Sequence, residues 1–119
     1  MKIIDKVDIS NLGFEKIPDI FQDVTVEGDF DCSYNSLTSL EGAPEKVDGY
    51  FDCVSNQLTS LEGAPEKVGG NFYCSYNSLT SLEGAPEKVG GDFYCSNNAV
   101  KFTEEQVRAV CDVKGRIYV

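Results

Sequence analysis

Phe51-Asp52-Cys53-Val54-Ser55-Asn56-Gln57-Leu58-Thr59-Ser60-Leu61-Glu62-Gly63-Ala64-Pro65-Glu66-Lys67-Val68-Gly69-Gly70-Asn71 is followed at once by Phe72, where the same wording begins again. The interval is 21 residues, and it carries whole columns: Phe30, Phe51, Phe72 and Phe93; Cys32, Cys53, Cys74 and Cys95; Asn35, Asn56, Asn77 and Asn98; Leu37, Leu58, Leu79 and Val100. Residues 32–52 and 74–94 differ only at Asp48/Gly90, Tyr50/Asp92 and Asp52/Tyr94. Such self-similarity at a fixed short period is the mark of stacked repeats.

Within a copy, Phe51-x-Cys53 is a period-2 apolar pair that predicts a short strand with both side chains turned inward. Asn56 ends it. Leu58 and Leu61 continue the apolar set at spacings that suit neither a helix nor a long strand, so they predict a coil turning back. Gly63 and Pro65 punctuate the return, Val68 adds one more inward anchor, and Gly69-Gly70 allows the bend into the next Phe. No single turn can bury its Phe, Cys, Leu and Val alone, so each copy needs neighbours and the ends need caps.

The wording F-x-C-x-x-N-x-L-x-x-L-x-G-A-P-x-x-V resembles the leucine-rich repeat, whose core reads L-x-L-x-x-N-x-L. The Ala64-Pro65-x-x-Val68 return is similar to the short repeats of bacterial leucine-rich effectors, which carry L-P-x-x-L there, although this chain is one residue longer per turn. SLEGAPEKVGG and KFTEEQVRAVCDVKG resemble small repeat proteins of tailed phages and prophages. The resemblance spans residues 26–119. It implies a leucine-rich-repeat-like solenoid: one short parallel sheet of about four strands with irregular return segments behind. By family alone, it also implies a host-directed or anti-defence inhibitor role.

The reading is a single domain, 1–119, with an N-terminal cap at 1–25, repeats at 26–102 and a helical C-terminal cap at 103–119. Residues 1–25 depart from the period but hold Ile17, Ile20, Phe21 and Val24 for an apolar cap. Thr103 with Gln106 three residues later forms a capping box, and Val107, Val110 and Cys111 are expected on one helical face. Gly115 ends the helix or starts a turn, after which Ile117 and Val119 supply a last strand.

Charge and composition narrow the chemistry. The chain has 119 residues, 20 Asp+Glu against 10 Lys+Arg, a formal net charge of -10 and no His. An acidic surface argues against phosphate neutralisation and so against direct nucleic-acid binding. Without histidine there is no Ser-His or Cys-His pair and no His-liganded metal. The N-terminus breaks its apolar residues with Lys2, Asp5, Lys6 and Asp8, so it lacks the h-region of a signal peptide, and no membrane-spanning run exists. Five cysteines without such a signal read as reduced thiols in a cytoplasm, that of the bacterial host if the chain is phage-encoded.

The cysteine ladder reads as core, since stacked strands lie about 4.8 Å apart along a line whereas thiolates converge to about 2.3 Å around zinc. The asparagine ladder reads as a satisfier of main-chain groups at each bend. The columns Glu41, Glu62, Glu83 and Glu45, Glu66, Glu87, with Lys46, Lys67 and Lys88 alongside, read as a charged outer surface or as a mimic of nucleic acid. Asp31 and Asp52, with Asp29 and Asp48 nearby, hold like charges close, but no calcium loop accompanies them and no pocket separates their pKa values. No metal, cofactor or catalytic residue is therefore assigned.

Copies differ mainly beside the inward Phe and Cys: Asp29/Tyr50/Asn71/Asp92, then Asp31/Asp52/Tyr73/Tyr94, then Ser33/Val54/Ser75/Ser96. Strand phase sets Tyr50, Tyr73 and Tyr94 on one sheet face, and Tyr34 and Tyr76 join if the turn keeps their rings outside. Tyrosine among Ser, Asn and Asp is the composition of adaptable binding surfaces. The expected function is non-enzymatic protein binding through Tyr34, Tyr50, Tyr73, Tyr76, Tyr94, Asp29, Asp31, Asp52, Asn71 and Asp92, toward a partner with a basic surface. The rivals are an acidic nucleic-acid mimic and a structural protein that self-associates through its tyrosine face or sheet edge.

Overall fold

A computed structural model describes residues 2–119. The chain winds into six coils of a parallel β-solenoid, and each coil gives one strand to each of two six-stranded sheets. The first sheet holds β1 (Lys2–Ile4), β3 (Val24–Val26), β5 (Lys46–Val47), β7 (Lys67–Val68), β9 (Lys88–Val89) and β11 (Asp112–Val113). The second holds β2 (Val7–Asp8), β4 (Phe30–Asp31), β6 (Phe51–Asp52), β8 (Phe72–Tyr73), β10 (Phe93–Tyr94) and β12 (Ile117–Tyr118). A 3-10 turn at Asp19–Phe21 and a helix, α1 (Glu104–Val110), complete the elements.

This corrects the expectation of one four-stranded sheet backed by strandless returns. The return segments pair too: Lys46, Lys67 and Lys88 stand in register with one another, as do Val47, Val68 and Val89. Near-identical copies present the same main-chain groups at the same height, so a two-residue stretch forms a strand from its neighbours' bonds. The two sheets meet at a tight corner where Gly49 and Gly70 stack. A Cβ on Gly70 would lie 2.8 Å from the Gly49 carbonyl carbon, which leaves only hydrogen room there.

The interior is a set of columns. Phe30, Phe51, Phe72 and Phe93 are fully buried, and their rings follow one another at 5.4, 5.7 and 5.1 Å. Each such burial contributes roughly 1.5–3 kcal/mol. The cysteine, valine and leucine columns pack around this stack.

The end coils keep the topology but change the period. In the first coil Ile4 pairs with Val26 and Val7 with Phe30, so residues ahead of 26 form a full coil with strands in both sheets. Phe21 closes that end, its ring edge-on to Phe30 at 5.3 Å. Ile20, expected within the cap, points to solvent because the 3-10 turn gives its inward place to Phe21.

In the last coil Val113 pairs with Val89 and Ile117 with Phe93, an offset of 24. The added length is α1. Thr103 Oγ1 accepts from Gln106 N at 3.1 Å and Gln106 Oε1 from Thr103 N at 2.8 Å, the expected capping box. Phe102 and Val107 fill the core here. Val100, expected in the leucine column, is instead 40% exposed. Val110 is also exposed, because the helix buries Val107 and then leaves through an extended Cys111. None of the described helices is long and apolar enough to cross a membrane.

Candidate functional site

Coiling turns sequence positions one period apart into outward columns. On the second sheet the register runs Asp8, Asp31, Asp52, Tyr73, Tyr94, Tyr118 from one end of the solenoid to the other. The column is divided: three carboxylates occupy the N-terminal half and three phenols the C-terminal half. Tyr73 and Tyr94 stack at 4.8 Å and 16°, and Tyr94 and Tyr118 at 4.5 Å and 6°. Tyr50, two positions before Asp52 in its coil, meets Tyr73 edge-on at 5.9 Å.

Tyr118 was not among the residues expected on this face. Its signal is the apolar period-2 pair Ile117 and Val119 on either side, but the helix shifts its coil out of the 21-residue count.

Neighbouring side chains fix the column. Asp8 Oδ1 accepts from Ser10 N at 3.0 Å and Ser10 Oγ at 2.6 Å; Asp31 Oδ1 does the same with Ser33 at 3.0 and 2.6 Å; Asp52 Oδ1 accepts from Val54 N at 3.0 Å. Each carboxylate is therefore oriented by its own turn. The Ser10 bonds hold the Asp8 carboxyl below the usual range. Burial pushes the Asp52 carboxyl up; the Val54 N–H opposes this, and the charge of Asp31 adds to it. Burial first, and then the surrounding aspartates led by Asp31, raises the Tyr50 phenol.

Asp29, Asn71 and Asp92 sit at the corner before the strands, where Oδ1 of each accepts a main-chain N–H of the next coil: Tyr50 N, Asp92 N and Arg116 N, each at 2.8 Å. Asn71 Nδ2 also donates to the Tyr73 hydroxyl at 2.9 Å, tying the corner to the aromatic column.

Tyr34 and Tyr76 lie just past the second sheet, in the turn. Their φ values are +56° and +57°, and each is 61% exposed. Their rings are outside, as membership of the surface requires. A left-handed conformation is costly for a bulky L residue, and the same position elsewhere holds Asn11, Ser55 and Asn97.

The asparagine ladder is structural. Asn56 Oδ1 accepts from Leu37 N at 3.0 Å, while its Nδ2 donates to Cys32 O and Cys53 O, both at 3.1 Å. Asn77 and Asn98 repeat the scheme one coil on. All five thiols are free and buried. Burial raises each above its ordinary range, to about 11 for Cys95 and Cys111. Such thiols are poor nucleophiles. Cys53 Sγ donates to Tyr73 O at 3.1 Å and Cys74 Sγ to Tyr94 O at 3.3 Å.

No family profile, curated protein or solved structure matches the chain.

Proposed function

We propose that this protein is a non-enzymatic binding module that docks another protein through the outer column of its second sheet. The observation that carries the reading is the division of that column into Asp8, Asp31, Asp52 and Tyr73, Tyr94, Tyr118, held in register by coiling. Stacked phenols give large, rigid contact area at low entropic cost. The carboxylates beside them favour a basic partner, and the net charge of -10 raises its encounter rate. Tyr34 and Tyr76 extend the surface at the adjoining turn, where strained backbone is kept under an exposed ring.

The wider reading is a leucine-rich-repeat relative of the short bacterial and phage type, acting in the bacterial cytoplasm as a host-directed or anti-defence inhibitor. It rests on the resemblance of the repeat wording.

Affinity capture from a bacterial lysate with three baits tests the docking surface. The wild type and a Glu41→Lys, Glu62→Lys, Glu83→Lys variant should retain the same protein, and a Tyr73→Ala, Tyr94→Ala variant should lose it. The opposite pattern, loss with the lysines and retention with the alanines, would assign function to the glutamate columns and a nucleic-acid mimic.

A further inference from the structure

The two sheets end differently at the last coil. In the first sheet, each coil passes its valine carbonyl and its corner glycine carbonyl forward: Gly90 N bonds Val68 O at 2.8 Å, Lys114 N bonds Val89 O at 3.0 Å, and Gly115 N bonds Gly91 O at 2.9 Å. Val113 and Gly115 hold those places at the end. Arg108 of α1 takes both, Nη1 donating to Val113 O at 2.8 Å and Nη2 to Gly115 O at 3.2 Å. Two of that edge's outward acceptors are thereby taken.

The second sheet has no such guard among the described residues. Its inward residues send their N–H groups forward: Phe72 N to Asp92 O, Cys74 N to Tyr94 O, Phe93 N to Arg116 O and Cys95 N to Tyr118 O, at 2.8 to 2.9 Å. By the same phase, the N–H groups of Ile117 and Val119 point away from β10, out of the stack. Beside them lies a cleft of about 350 Å³ lined by Cys95, Ser96, Asn97, Asn98, Val100, Lys101 and Val119.

Charge selects the occupant. Arg116 precedes the edge and Lys101 lines the cleft; both are exposed, and neither has an ion-pair partner among the described residues. One coil back, the Asp92 carboxylate accepts the Arg116 main-chain N–H at 2.8 Å and makes no ion pair with its guanidinium, so the two unpaired cations favour an acidic occupant. A second copy stacked end to end would set Lys6 against Arg116 and meet Arg108 on the first sheet.

We infer that β12 is a strand-addition site for an extended, acidic segment of another protein. The segment runs parallel to β12, with an acid facing Arg116, an apolar residue over Ile117, an aromatic ring on Tyr118 and a small polar side chain in the cleft near Lys101. The site shares Tyr118 with the Asp/Tyr column but is defined by the outward main-chain edge of β12 and by Arg116 and Lys101, so it can fail or hold independently of the docking surface.

The probe is a fluorescein-labelled peptide with the sequence of residues 90–99, Cys95→Ser, which carries Asp, Phe, Tyr and Asn at those places. Fluorescence anisotropy should show saturable binding to the wild type, unchanged by Tyr73→Ala. Val119→Pro, which removes one outward N–H, should weaken it tenfold or more. Arg116→Glu should weaken it similarly and should prefer a peptide in which Asp92 is replaced by Lys.

Absence of saturable binding, equal binding by the Pro variant, or no charge preference would overturn the assignment. So would a wild-type protein whose sedimenting mass grows with concentration and whose Val119→Pro variant stays monomeric, since the edge would then be filled by a second copy.

Discussion

Arg108 Nη1 lies 2.8 Å from the carbonyl oxygen of Val113, the acceptor that a seventh coil would otherwise use. The same guanidinium reaches Gly115 O, and its Nε is 3.7 Å from Glu104, so the cap is anchored within its own helix. An unguarded parallel edge is a template for another chain. Arg108→Ala should therefore leave the fold intact by circular dichroism but give a sedimenting mass that rises with concentration, beyond that of the wild type. A strictly monomeric variant would show that the helix body, not the guanidinium, guards the edge.

Asn56 answers four main-chain groups from a position with almost no solvent, bonding Leu37 N, Cys32 O, Cys53 O and Val54 O. Leucine is close in size but satisfies none of them, and each orphaned buried group costs about 1–3 kcal/mol. Asn56→Leu should lower urea-unfolding stability by at least about 2 kcal/mol. A loss within 0.5 kcal/mol, roughly the scatter of surface substitutions, would mean that water replaces the amide.

Asp52 is raised by burial and by Asp31, so its folded carboxyl takes up a proton more readily than its unfolded one. The associated stability is present below the unfolded value and is lost as pH rises through the folded one. Asparagine keeps an oxygen for Val54 N and carries no charge. Asp52→Asn should unfold at higher denaturant than wild type at pH 7, with the gain vanishing near pH 3. Equal gains at both pH values would remove the electrostatic cause.

Tyr76 combines φ of +57° with a mostly exposed ring. Glycine relieves a left-handed strain of roughly 1 kcal/mol and gives up only surface contact. Tyr34→Gly and Tyr76→Gly should each raise or hold stability while weakening capture of the partner. Reduced stability with unchanged capture would give these rings a structural role.

Much of this architecture is legible in the sequence because identical residues at a 21-residue spacing can only stack. The phenylalanine, cysteine and asparagine columns, the capping box at Thr103 and the outward set Tyr50, Tyr73 and Tyr94 all follow from that spacing and strand phase. Lys67–Val68 does not announce itself as a strand: one inward residue has no alternation, and its pairing comes from copies above and below. Tyr118 and Val100 are hidden for a common reason. Helix α1 lengthens the last coil, so Tyr118 joins a column that counting by 21 misses and Val100 leaves one that such counting assigns. Val7 and Ile9 stand where later coils have Phe and Cys, which conceals the first coil as a coil.

The most direct test is a nuclear Overhauser spectrum of the protein with protonated tyrosine rings in an otherwise deuterated background. Ring centroids at 4.8 Å for Tyr73 and Tyr94, and at 4.5 Å for Tyr94 and Tyr118, predict strong ring-to-ring cross-peaks for both pairs. Cross-peaks between Tyr94 and Tyr118 would establish the column across its irregular coil. Their absence, with Tyr118 free in solvent, would contradict the six-coil register and the docking surface built on it.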